Sequence, residues 1–262
     1  MAQSKAETIE KIQQLIAKLV ANSPVGHGLR LIGGFRYRLL DQGPRISGDI
    51  DYHWDGDLES KQTGLIEMLK RRLLPEVKRS LGYEGDVQPA MGPESESPSI
   101  RIVNVAFWLP NTPDSRIDIP VEVTRILCLD ETIVRTANGV VYPTVSDADM
   151  IESKVIALFN RRQIQHRDFV DLFLFGSHLR DDASLRLARK FADIPLDQND
   201  IQRRLDDFRK HPDFHIRAIA AVITEQLDAT AATNIEQAGG AKFVFDHVCD
   251  LLTTKLKLGR MS

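Results

Sequence analysis

Cysteine is nearly missing from this chain. Its 262 residues include two, Cys128 and Cys249, and neither sits in a CxxC or Cys/His cluster. That leaves no readable zinc site or disulfide framework and points to a reducing compartment, with the cytoplasm as the default. Long apolar runs are missing too: no stretch approaches the length needed to span a bilayer. The opening Met-Ala-Gln-Ser-Lys-Ala-Glu-Thr lacks the apolar core of a signal peptide. The expectation is a cytoplasmic protein with no membrane partner. Nor is there an excess of positive charge, since 34 Lys and Arg face 37 Asp and Glu for a net charge of −3. A nucleic-acid partner would have to be held by a local patch. Internal repeats and low-complexity segments are also lacking. What is present is 42% apolar and 27% charged residues, the composition of a globular protein with room for one large domain or two modest ones.

Periodicity supplies the elements. Ser4-x-x-Glu7 is a capping box, and Ile9, Ile12, Ile16, Leu19 and Val20 follow at helical spacing. Leu29–Ile32 is a short aliphatic run ended by Gly33-Gly34, and Phe35–Leu40 predicts a brief helix. Gln42-Gly43-Pro44 turns the chain into a strand over Ile46–Trp54. Leu58–Leu81 has a long helical pattern with Pro75 predicting a kink or break. Gly85–Pro98 reads as a mobile loop rich in Pro, Gly, Ser and Glu. Strands follow at Ile100–Leu109 and Ile117–Val123, joined by a turn at Asn111-Thr112-Pro113-Asp114, and Asn138-Gly139 predicts a hairpin between Ile133–Thr136 and Val140–Thr144. From Ser146 onward the pattern is helical. The fold class is therefore α+β, with a mixed sheet flanked by helices over residues 1–145 and a helical domain over 146–262.

The chemistry concentrates in a few polar residues on apolar elements. On a strand, residues two apart share a face, so Asp49 and Asp51 project together. Paired carboxylates in an apolar setting need cations, and hard oxygen ligands suit Mg²⁺. A solvated Asp-x-Asp at a strand end is the plain alternative. Asp118 and Glu122 share one face of a later strand, and either can complete a cluster of three acids able to hold two metals for in-line phosphoryl transfer. Gly33-Gly34, between a strand and a helix, is a place where backbone can approach a phosphate, and Arg36, Arg38 and Arg45 add nearby positive charge. Farther on, Ser146 can cap a helix with Asp149 at its third position, and Lys154 falls at the edge of the stripe Ile151, Val155, Leu158 and Phe159, where a lysine ordinarily snorkels. Asp168 and Asp171 share a helical face, open to salt bridges with Arg161, Arg162 or Lys154. Arg161, Arg162, His166 and Arg167, with the Lys70–Arg79 helix, offer a basic groove or a solvated face. Tyr52, Trp54 and Trp108 offer stacking surface or core. His211 and His215 are interrupted by Pro212 and read, with His247, as structural or surface residues.

The run Gly33-Gly34, Pro44-Arg45-Ile46-Ser47, Asp49-Ile50-Asp51 resembles the DNA polymerase β-type nucleotidyltransferases, and more narrowly the AbiEii/AbiGii toxin family with its MenT-like members. A second block resembles that family's helical signature: Lys154, Ala157-Leu158, Arg161 and Arg167-Asp168-Phe169-Val170-Asp171-Leu172. Together the blocks span roughly residues 29 to 175. The resemblance implies a nucleotidyltransferase fold that moves NMP from an NTP to an acceptor hydroxyl with Mg²⁺ or Mn²⁺. It implies Asp49, Asp51 and Glu122 (or Asp118) as metal ligands, Gly33, Gly34, Arg45, Ser47 and Lys154 as nucleotide-binding residues, and Asp168 beside Lys154. Glu122-Val123-Thr124-Arg125 resembles the family's strand end, favouring Glu122. An RNA acceptor such as tRNA and an antitoxin partner are also implied. Phe35, where the family commonly has a small residue, departs from the pattern. It favours a rival reading, a non-catalytic interaction module. A third reading keeps the metals and changes the acceptor to a small molecule. Which NTP is used, and the oligomeric state, are not written in any motif.

Overall fold

The computed structural model describes residues 4–90, 99–112 and 115–260, which divide into two compact units. The first holds residues 1–43, 47–126 and 132–145; the second holds 44–46, 127–131 and 146–262. Two short segments from the first half of the chain are thus built into the helical unit.

The first unit begins with α1 (Lys5–Ala21), whose N-terminus carries the Ser4/Glu7 capping box. Its stripe of Ile12, Ile16, Ala17 and Val20 is buried. Then come β1 (Arg30–Ile32), α2 (Gly33–Leu40), β2 (Ile50–His53) and α3 (Leu58–Leu81). Strands β3 (Glu84–Pro89), β4 (Ile100–Trp108), β5 (Ile117–Thr124), β6 (Ile133–Ala137) and β7 (Val140–Thr144) complete a seven-stranded mixed sheet, ordered β3-β4-β5-β2-β1-β7-β6. Asn138 and Gly139 turn β6 into β7 with φ of 50° and 73°, the left-handed pair such a hairpin needs. Along β5, Ile117, Ile119, Val121 and Val123 enter the core, while Asp118 and Glu122 point to the other face.

Three local expectations change. The strand predicted over Ile46–Trp54 is only Ile50–His53, so Asp51 lies on β2 and Asp49 lies in the bend before it. Helix α3 runs unbroken through Pro75. Leu65, Leu69, Leu73 and Val77 are completely buried around it. At roughly 1.5–3 kcal/mol for each buried aliphatic side chain, that burial outweighs about 3 kcal/mol for an interior proline. Residues 85–89, expected to begin a loop, instead belong to the edge strand β3, paired with β4 from Glu84↔Trp108 to Pro89↔Val103. The remainder of that predicted loop, 91–98, lies outside the described residues, as do Pro113 and Asp114 of the predicted turn.

The second unit contains α4 (Asp147–Asn160), α5 (Arg167–Phe175), α6 (Ala183–Ala192), α7 (Gln198–Lys210), α8 (Pro212–Gln226), α9 (Ala229–Gln237) and α10 (Gly240–Asp250). Its core includes Val155, Leu158, Phe169, Leu172, Leu187, Phe208, Ile219 and Val244. Residues 44–46 join it as an extended piece: Arg45 bridges to Leu227, and the Ile46 N–H donates to the Gln226 carbonyl at 2.7 Å.

Candidate metal centre

Register brings the acids together. β2 and β5 are parallel neighbours with Asp51 opposite Glu122, so both side chains leave the same face. Asp49, just before β2, joins them, and one carboxylate oxygen from each of the three lies within 4.8 Å of the others. All three are partly exposed, so the cluster can be reached from solvent. Among the described residues this is the only such group of three or more potential metal-binding side chains. Hard carboxylate oxygens converging from two strands suit Mg²⁺ or Mn²⁺. Asp118 is not part of the cluster. It is bound by Arg116 at 2.7 and 2.9 Å and lies at 3.5 Å from the Asn104 amide, and Arg116 holds its carboxyl below the usual range.

The glycine pair is built against this cluster. Ile32 is the register partner of Asp51, and the chain turns into α2 at the next residue. Gly33 has φ +77°, and a Cβ there would fall on the Asp51 carboxylate. Only glycine permits both the backbone conformation and the acid's position. The first turn of α2 has no side-chain cap, so no side chain occupies the helix N-terminus, the end at which helices receive anions. Phe35 is 1% exposed within the core, so its ring faces no ligand.

Sequence reasoning passed over one positioning residue. Gln13, on α1 between Ile12 and Ile16, is buried, and its Nε2 donates to the Ser47 carbonyl at 2.8 Å and the Asp49 carbonyl at 3.5 Å. The Ser47 hydroxyl donates to Asp49 Oδ1 at 2.5 Å. The bend that carries Asp49 is therefore pinned from both sides. A polar residue inside α1's apolar stripe was the available signal. Ser47 is itself buried, with its hydroxyl directed at the acid.

The cations expected near the glycines are internal. Arg36 is buried against Asp41 and Thr144, and Arg38 pairs with Glu10 at 3.0 Å. Tyr52 is in the core, and Trp54 lies under the Lys61 ammonium at 3.8 Å.

The helical unit has a charged centre of its own. Arg45 makes a bidentate pair with Asp171 at 2.6 and 2.9 Å. Lys154 reaches Asp171 at 2.9 Å and Asp168 at 3.2 Å, and Arg161 closes on Asp168 at 2.5 Å. Lys154 is thus buried, not snorkelling. Burial pulls its pKa down, yet Asp171 and Asp168 outweigh that and hold it above the usual lysine value. For Asp171, burial pushes the pKa up, but Lys154 and Arg45 win and hold it below the carboxylate range. A second network links Asp149, Glu152 and Asp130 to Arg186 and Lys190. Ser146 caps α4 as expected, accepting the Asp149 backbone N–H at 3.0 Å, and the Asp149 carboxylate also accepts the Leu129 and Asp130 backbone N–H groups at 3.0 Å.

The basic groove is narrower than its sequence suggested. His166 Nε2 lies 3.0 Å from His215 Nδ1 among phenylalanines, and burial, with His215, lowers its pKa to about 4. It carries no charge near neutrality. Arg161, Arg162, Arg203 and Arg204 instead line a cleft of about 410 Å³ with Asp200 and Asp207.

Comparison with known proteins follows these features. The model of the nucleotidyl transferase AbiEii toxin, of type IV toxin–antitoxin systems, matches residues 14–241. A comparison with curated proteins finds no match. Among solved structures, JHP933 from Helicobacter pylori is similar at 17% identity with a TM-score of 0.58, over 98% of this chain and 95% of that one. MenT4, a nucleotidyltransferase toxin from Mycobacterium tuberculosis H37Rv, is similar at 17% identity with a TM-score of 0.56, over 93% of each chain. At such identities the likeness is one of fold. The family match spans most of the chain, which belongs to the AbiEii nucleotidyl transferase toxin family.

Proposed function

We propose that this protein moves a nucleoside monophosphate from an NTP to an acceptor hydroxyl on an RNA end, such as that of a tRNA, with divalent cations held by Asp49, Asp51 and Glu122. The observation that carries the reading is the convergence of those three carboxylates within 4.8 Å. The acceptor hydroxyl gives up its proton to solvent, its oxygen bonds to the α-phosphorus, and the bond to the leaving pyrophosphate breaks. A bound divalent ion supplies Lewis-acid polarisation of the phosphate and lowers the pKa of the acceptor hydroxyl. Gly33 and Gly34 offer backbone N–H groups to phosphate oxygens at the start of α2. Ser47 and Gln13 hold the Asp49 bend so that this carboxylate needs little reorganisation on loading. Lys154, which the family resemblance links to the phosphates, serves here first as counter-ion to Asp168 and Asp171. A cytoplasmic setting and an antitoxin partner complete the proposal. No helix among the described residues is long and apolar enough to cross a membrane. The non-catalytic reading rests on Phe35, which lies in the core; the convergence of the three acids favours the transferase over it.

The test incubates the protein with each α-labelled NTP, Mg²⁺ or Mn²⁺, and total cellular RNA, beside an Asp49→Ala/Asp51→Ala variant. Label entering RNA with the wild type alone supports the proposal and identifies the nucleotide. Equal labelling by the double variant, or none by the folded wild type, overturns it.

A further inference from the structure

The sheet face that carries Asp51 and Glu122 continues beyond them. Glu122 pairs across β5–β4 with Ile102, Pro120 with Asn104, and Asp118 with Ala106. On the next strand Gln88 lies opposite Asn104, and Asp86 opposite Ala106. Residues opposite one another in an antiparallel pair share a face. Asn104, Ala106, Gln88 and Asp86 are therefore on the acids' side, while Val103, Val105 and Phe107 fill the core on the other. With Trp108 and Arg116 they line a hollow of about 440 Å³. A rise of ~3.3 Å per residue puts Asn104 about 7 Å along the sheet from Glu122, and Ala106 about 13 Å along.

We propose that this hollow on β3–β5 is a nucleoside-binding subsite, in which Trp108 stacks on a base and Asn104 and Gln88 read its edge. Its volume is in the range of small-ligand sites. An indole supplies a sequence-tolerant stacking surface; the Gln88 amide donates to Asp86 and the Asn104 amide lies 3.5 Å from Asp118, which orients the two carboxamides and leaves each an N–H and its carbonyl oxygen for a base edge. Ala106 leaves the floor low, and Arg116 puts a guanidinium at the rim. Trp108 and Arg116 also border a neighbouring hollow of about 520 Å³, so the indole is approached from two sides. The distance from the acids is what separates a base from a phosphate at the metal centre. The inference rests on the proposed transfer for the identity of the ligand, a nucleoside supplied by the NTP or by the RNA acceptor.

The chain has two tryptophans, so Trp54→Phe makes Trp108 the sole indole reporter. That variant is titrated, without divalent ions, with the four nucleosides, the four NTPs and a short single-stranded oligoribonucleotide, following fluorescence. Saturable quenching is expected, weakened about tenfold by Asn104→Ala, as for loss of one bidentate base contact. Trp108→Ala, followed by calorimetry because it removes the reporter, should weaken binding similarly with an unchanged melting temperature. Tighter binding of an NTP assigns the subsite to the donor, and tighter binding of the oligomer assigns it to the acceptor. No quenching by any of these, or quenching that Asn104→Ala leaves unchanged, overturns the proposal. Label transfer measured on the same preparation separates the two readings. Transfer without quenching sinks the subsite alone. Quenching without transfer supports the subsite and sinks the transferase.

Discussion

The two units treat carboxylates in opposite ways. In the helical unit Asp168, Asp171, Asp149 and Glu152 are almost completely buried, and each is interleaved with arginine or lysine at 2.5–3.2 Å. In the sheet unit Asp49, Asp51 and Glu122 are partly exposed, and their oxygens converge on one another. Interleaved charges neutralise in place and hold helices in register, and removing one partner is strongly destabilising. Converging like charges are tolerated where an added cation can reach them. One arrangement is finished by folding; the other, in the proposed function, is completed by a cation.

Asp51→Asn should break the contrast most sharply. It is expected to lower nucleotide transfer about 10²–10³-fold, the scale of losing a principal transition-state electrostatic contact, while leaving thermal stability equal or slightly higher. Activity and melting temperature measured together check this; a large loss of stability would make Asp51 structural. Lys154→Met is the converse. With Asp168 left to Arg161 and Asp171 to Arg45 alone, the fold should lose about 3 kcal/mol in denaturant titration, the lower end for a broken buried pair. A small stability change with a raised KM for NTP would instead assign Lys154 to the nucleotide.

Gly33→Ala tests how tightly the glycine is fitted to the acid. The positive φ and the approach of the Asp51 carboxylate should cost about 1–3 kcal/mol and disturb metal affinity together. Unchanged Mn²⁺ binding would show that Asp51 adapts.

Protonation acts within the helical unit. His166 has its pKa lowered from 6.5 to about 4 by burial and by His215. Between those values the unfolded chain binds more protons, so stability falls as pH drops from about 6.5 toward 4. His166→Phe should flatten melting temperature over that window. Asp171, held low mainly by Lys154 and Arg45 against burial, keeps its contribution above its unfolded pKa and loses it only at more acid pH. The smallest expected effect belongs to Asp118→Asn, which removes an exposed pair worth about 0–1 kcal/mol. Transfer within twofold of wild type is expected, against a large loss for Glu122→Gln. Equal losses would put Asp118 back in the metal centre.

Much of the chemistry was legible. Asp49, Asp51 and the glycine pair stand out as charges and glycines set in apolar elements, though Asp49 is held by a bend and not by the strand spacing that drew attention to it. Choosing Glu122 over Asp118 was not possible from alternation, which puts both on one face; the parallel register Asp51↔Glu122 decides it. Arg36, Arg45 and Lys154 looked like available cations because a sequence shows charge and not partner. Their partners Asp41 and Asp171 lie five, 126 and 17 positions away along the chain, and only folding brings the last two pairs together. Gln13 was missed for the same reason.

By itself the sequence determined what neighbouring residues settle: the capping box of α1, the β6–β7 turn, the facing pattern of β5 and the all-helical second half. These follow from backbone sterics and side-chain periodicity within a few residues. Only the tertiary structure decided that α3 continues through Pro75, that Glu84–Pro89 is a strand, that Phe35 is core, and which acid joins Asp49 and Asp51. Those outcomes depend on burial and strand register between distant segments, where the free energy of packing exceeds local preference.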